Sequence, residues 1–238
     1  MTYLIVIGCI ALYMGYFFYV KQKNAQRAAV VNQTDFKAEF AKVEAYRKQF
    51  LDSDGLFLKE AMKQARIDAV NYANIEYTLA DSLKNDMKNK LKGMATLGTV
   101  RFRSVHTPKY LVLSGDTLHL FDTDTDGEID THLTFPPLRL KESRLIEYPL
   151  AGQEKAQAEA RGNNVKTYKL SLQTDDKPLE LIIYSCLIFT NIPETPGSPE
   201  EAVRDIVVAN DFLKQLGDLY PNLKMRLPIL CFTPSIPL

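Results

Sequence analysis

The chain begins without charge: no Asp, Glu, Lys or Arg occurs from Thr2 to Val20, and the first acidic residue is Asp35. Cysteine is scarce too, with only Cys9, Cys186 and Cys231 among 238 residues and no CxxC pair. So few and so widely spaced, they exclude a disulfide scaffold and fit a reducing compartment. Cys186, within Ile182-Ile-Tyr-Ser-Cys-Leu-Ile-Phe189, reads as a small buried apolar residue. Histidine is limited to His106, His119 and His132, and the chain has no GxSxG, HExxH, phosphate-cradling glycine loop or dinucleotide fingerprint. These absences disfavour an enzyme, and no catalytic residue is assigned. No basic stripe interleaved with aromatics is present in the distal half, so nucleic acid is not an expected partner.

The charge-free stretch is filled with apolar residues. Wound as a helix, Tyr3 to Val20 would be about 27 Å long at ~1.5 Å per residue, close to the ~30 Å hydrocarbon core of a bilayer. Lys21, Lys23 and Arg27 come directly after it. With no basic residue before it and no small-x-small site after it, the run reads as an uncleaved single-pass anchor, not a signal peptide. The basic flank then places the C-terminal bulk in the cytoplasm and the N-terminus outside. Tyr13, Tyr16 and Tyr19 lie toward the basic end, where aromatic rings favour the membrane interface. Ala11 and Gly15 form a small-xxx-small pair suited to a homodimer.

Net charge is zero, 29 basic residues against 29 acidic. Residues 21–92 hold 14 Lys and Arg against 10 Asp and Glu, and residues 93–238 hold 15 against 19, so the first part suits an anionic inner leaflet. Phe36, Phe40, Val43, Arg47 and Phe50 fall at helical spacing behind Thr34 as N-cap, and Asp52-Ser-Asp-Gly55 breaks the pattern. A second helix is expected from Leu56, with Leu58, Met62, Ala65, Ala69, Tyr72, Leu79 and Leu83 on one face, ending in Lys84, Lys88, Lys90 and Lys92 before Gly93. Four segments result: an anchor over 1–20, a helical membrane-proximal stalk or hairpin over 21–93, a β domain with a C-terminal helix over 94–222, and a proline-containing tail over 223–238.

After Gly93 the period shortens to that of strands. Seven are expected, at 99–105, 110–113, 117–121, 129–135, 144–150, 165–173 and 179–189, followed by an amphipathic helix over 200–219. Tyr110-Leu-Val-Leu-Ser-Gly-Asp-Thr-Leu-His-Leu-Phe121 resembles the second and third strands of a pleckstrin-homology domain, and seven strands closed by one helix resembles that superfold over about residues 95–220. The fold class implied is α+β, with a seven-stranded barrel capped by the C-terminal helix. Also implied is a binding module for lipid headgroups, peptides or other domains, with Arg101, Arg103, His106 and Lys109 in the basic position that lipid-binding members use.

The sharpest local motif is Asp122-Thr-Asp-Thr-Asp-Gly-Glu-Ile-Asp130, the start of an EF-hand-like calcium loop with carboxylates at Asp122, Asp124, Asp126 and Asp130. The closing Glu of a full loop is replaced by Leu133, and strands flank the motif. The same residues read as a hairpin whose Asp126-Gly127 corner takes positive φ, with the remaining acids solvated at its tip. Such a hairpin brings His119 and His132 close across two strands, without a third ligand for zinc. The function expected is a membrane-tethered, cofactor-free scaffold that binds a protein partner or anionic lipid. The alternative is a calcium-responsive module.

Overall fold

Strand alternation and pairing, not helical spacing, decide the middle of the chain. The computed structural model describes residues 2–63, 65–75, 109–124, 127–149, 165–187 and 198–227, with backbone alone at 2–6, 9, 11 and 75. Four helices come first: α1 (Thr2–Gln33), α2 (Phe36–Phe40), α3 (Val43–Asp52) and α4 (Leu56–Ala61). Asp35, not Thr34, caps α2, its carboxylate accepting the Lys37 N–H at 3.0 Å. Thr34 instead donates its hydroxyl to the Val30 carbonyl at 2.8 Å, at the end of α1. Gly55 opens α4 because a Cβ there would lie 2.8 Å from the ring of Phe50.

The expected second helix stops at Ala61, and Lys63 turns the backbone into the left-handed region at φ 48°. The next element is a strand, β1 (Ala69–Ile75). Ala69 and Tyr72 satisfy helical spacing, but Val70 and Tyr72 also alternate with Ala69 and Ala73 at a period of two. Partners on both sides select the second pattern: β1 pairs with β2 (Lys109–Ser114) and with β7 (Leu179–Tyr184). The expected Lys-rich stop at Gly93, the strand at 99–105 and the end of the tail lie outside the described residues.

The remaining elements are β3 (Thr117–Thr123), β4 (Ile129–Phe135), α5 (Pro137–Glu142), β5 (Arg144–Tyr148), β6 (Thr167–Leu172), α6 (Pro199–Leu219) and a 3₁₀ turn at Pro221–Leu223. Strands β2 to β7 match the expected ones closely. The sheet is antiparallel in the order β4-β3-β2-β1-β7-β6-β5. Its ends, β4 and β5, do not pair with each other, so the sheet is open and the expected closed barrel is corrected. Helices take over the work of covering apolar strand faces that closure would have done.

Helix α6 is central to that covering. Ser198 and Glu201 form a reciprocal capping box, with Glu201 N–H donating to Ser198 Oγ at 3.1 Å and Ser198 N–H to Glu201 Oε2 at 2.8 Å. Phe212, Leu213 and Leu216 pack with Leu111, Leu113, Leu181 and Ile183 on one face of the sheet. Ala202, Val203, Ile206 and Val207 pack with Val31 of α1, Phe36 of α2 and Ile182 and Tyr184 of β7. Val208 and Ala209 join Phe50, Leu58, Val70 and Val112. A helix apolar on so many sides must be enclosed, and this one is.

Polar groups tie the same helices to the sheet. Arg47 of α3 reaches Asp211 of α6 at 3.0 Å and also donates to the Asp68 carbonyl. Gln215 bonds the same two acceptors, at 2.8 Å to Asp211 and 3.0 Å to Asp68. Deeper in, Asn210 donates to the carbonyls of Ser185 at 2.7 Å and Ile206 at 2.8 Å, and Asn71 to Tyr184 at 3.1 Å.

The structure also corrects the expected membrane anchor. Among the described residues, no helix is long and apolar enough to cross a membrane. Helix α1 does not end where the charges begin: it runs unbroken through Lys21, Lys23 and Arg27, and its last turns dock through buried Val31. The apolar run is thus half of a mixed helix fixed to the folded body. The single-pass topology, with N-terminus outside and C-terminal bulk cytoplasmic, falls with the anchor.

Candidate functional site

Two features stand apart from the packed core: the β3–β4 hairpin at one edge of the sheet, and the free half of α1. At the hairpin, antiparallel register sets up rows of side chains that share a face. One row runs Val70, Val112, His119, Thr134 and the next Tyr72, Tyr110, Phe121, His132. Helices α3 and α4 cover the β1–β2 end of these rows. Phe50 meets Tyr72 edge-on at 5.8 Å between ring centres, Phe57 meets Tyr110 at 4.8 Å, and Tyr72 meets Tyr110 at 5.0 Å. Burial pushes the Tyr110 phenol up to about 12, so it stays neutral.

At the uncovered end, His132 stacks on Phe121 at 4.2 Å. Its Nε2 lies 2.9 Å from Nδ1 of His119. Burial lowers the pKa of both imidazoles, and His119 is lowered further by its neighbour, which favours neutral rings at pH 7. The hairpin register expected from the sequence does bring this pair together.

The acidic tip is organised as a turn. Asp124 donates its N–H to the Glu128 carbonyl at 2.8 Å and accepts the Glu128 N–H on Oδ1 at 2.9 Å. Gly127 N–H donates to the Asp124 carbonyl at 3.3 Å, and Gly127 adopts φ 85°, the positive value expected of that corner. Asp122 is ion-paired with Lys109, and Asp130 accepts the Thr131 hydroxyl at 3.3 Å. Asp126 lies outside the described residues. Among those described, no group of three or more His, Cys, Asp or Glu is placed to hold a metal ion. Because Asp122 is held by Lys109 and Asp124 closes its own turn, millimolar calcium is expected to leave the thermal midpoint of the full chain unchanged in calorimetry. A bound ion at a hundred times its Kd would add about 2.7 kcal/mol, and a clear upward shift would restore the calcium loop.

Of the residues expected to contact lipid headgroups, Arg101, Arg103 and His106 lie outside the described residues. Lys109 is buried and held by Asp122, so its charge is already answered within the sheet. Cys186 is buried beside Ile182 and Tyr184, as its surroundings in the sequence suggest.

The second feature is α1. Between Ile7 and Tyr19, the nine large apolar side chains described are 45–77% exposed. Gly8, Leu12, Gly15 and Tyr19 succeed one another at spacings of four, three and four, a stripe along one helix face. All four are exposed, and a Cβ added at Gly8 or Gly15 would meet nothing within 4 Å. At the root of the arm, Arg27 and Val31 are buried.

No protein-family model, curated protein or solved structure matches the chain. Nothing in these comparisons identifies a pleckstrin-homology domain.

Proposed function

We propose that this chain is a non-enzymatic scaffold that acts by pairing α1 with a protein partner, and that the partner is a second copy of the chain. The observation that carries this is the exposure of large apolar residues around the free half of a helix whose other half is anchored in the fold. Monomeric proteins rarely leave such a patch open, and a helix apolar all round needs enclosure. A second copy fits for two reasons. From Thr2 to Val20 there is no charge to oppose a like helix or to select a complementary one. The open stripe through Gly8 and Gly15 lets two such helices approach closely.

Sedimentation velocity on the full chain tests this. We expect the wild type to associate and Leu12→Glu with Tyr19→Glu to sediment as a monomer; because the sites are outside the core, both should unfold at the same denaturant midpoint once the protein is dilute enough for the wild type to be monomeric too. A wild type that stays monomeric, or that floats with phosphatidylcholine vesicles instead of associating, overturns the proposal.

A further inference from the structure

The His119–His132 pair takes no part in scaffolding through α1, which is built on a different element. We propose that these two imidazoles form a chelate for a divalent transition metal of square-planar preference, copper(II) above all. The donor atoms are Nδ1 of His119 and Nε2 of His132, 2.9 Å apart. Two nitrogens bound at about 2.0 Å in adjacent corners of a square plane lie about 2.8 Å from each other, whereas tetrahedral zinc spreads them to about 3.3 Å. The observed 2.9 Å is the length of the hydrogen bond between the two rings, close enough for both nitrogens to reach one ion.

The backbone already fixes this spacing. His119 and His132 are diagonal neighbours on paired strands, His119 opposite Thr134 and His132 opposite Phe121, so their relative position is set by the ladder. Stacking on Phe121 limits rotation of the His132 ring. For both nitrogens to face one ion the His119 ring turns about its Cβ–Cγ bond, and the proton between the rings is transferred through solvent to the outer nitrogen of the ring that carried it, so that both imidazoles bind as neutral donors. Both rings reach the surface, so water completes the coordination; this agrees with the absence of a third protein ligand among the described residues. Imidazole nitrogen selects copper, nickel or zinc over calcium, and the affinity order for such donors peaks at copper. Loading would also clip edge strand β4 to β3.

Copper(II) titrated into the full chain provides the test, read by electron paramagnetic resonance and by thermal unfolding. One equivalent is expected to give a tetragonal signal with hyperfine splitting from two nitrogens and to raise the melting temperature. His119→Gln and His132→Gln are each expected to weaken binding roughly tenfold or more, equal to about 1.4 kcal/mol, while His106→Gln leaves it unchanged. Unaltered melting of the metal-free variants would show that the loss is one of ligands and not of fold. Binding that survives in both His119→Gln and His132→Gln, or a signal with one nitrogen in wild type, overturns the proposal.

Discussion

Replacing Phe212 with alanine is expected to destabilise the protein by about 3–5 kcal/mol, the range for deleting a large aromatic from a packed core. Phe212 is completely buried and stands where α6 enters the apolar face of the sheet, among Leu111, Leu181, Ile183 and Leu216. Because total stability in domains of this kind is about 5–15 kcal/mol, one such loss brings the fold close to its threshold. The denaturant midpoint should fall with little change in the slope. Leu219, near the end of the same helix and 46% exposed, supplies the control: Leu219→Ala should change stability by about 0.5 kcal/mol or less. A Phe212→Ala variant that loses under about 1 kcal/mol would mean that α6 is not seated against the sheet.

Arg47→Met is the second large effect. Arg47 answers the carboxylate of Asp211, which is 8% exposed, and binds the Asp68 carbonyl just before β1. Removing the guanidinium leaves a buried carboxylate with Gln215 as its remaining donor. The expected cost is about 3 kcal/mol, at the low end for breaking a buried pair because Arg47 keeps some contact with water. Its pH dependence distinguishes this cause from simple loss of packing. Burial already raises the Asp211 pKa above the ordinary carboxylate value, and Arg47 is among the groups that pull it back. A raised carboxylate stabilises the fold below its unfolded value, near pH 4, and that contribution is lost as pH rises through the folded value. Without Arg47 the folded value rises further. The deficit of Arg47→Met relative to wild type should therefore be smallest near pH 4 and grow toward pH 7, while Arg47→Met with Asp211→Leu should flatten it. A deficit independent of pH would assign the loss to packing.

The strands from β2 to β7 and helix α6 were legible because each carries one dominant pattern. Thr117-Leu-His-Leu-Phe121 alternates plainly, residues 200–219 keep one amphipathic stripe, and Gly127 marks its turn. The residues of β1 obey two patterns at once, since Ala69 and Tyr72 suit a helix and Val70 and Tyr72 suit a strand; only the neighbours β2 and β7 resolve them. Helix α5 carries a start signal in Pro136-Pro137, yet its six residues are too few to show a period.

At the candidate sites the division is similar. Register alone brought His119 and His132 together, but the distance between their nitrogens, which decides what they can hold, is a property of the folded hairpin. Apolar character in the first twenty residues is plain in the sequence; that they form one half of a longer helix docked by its other half is not. Docking of Val31 onto α6 is a long-range contact with no local signal, and it fixes α1 to the folded body. The acidic loop shows the opposite case, in which a clear motif is used locally: Asp124 closes its own turn and Asp122 holds Lys109.

Photocrosslinking from the arm tests the central claim most directly. With a benzophenone side chain in place of Tyr19 in the full chain, irradiation is expected to join α1 of one molecule to α1 of another, with linked peptides mapping between Ile7 and Tyr19. Adducts confined to the same chain, or formed with lipid in place of protein, would contradict the scaffold built on α1.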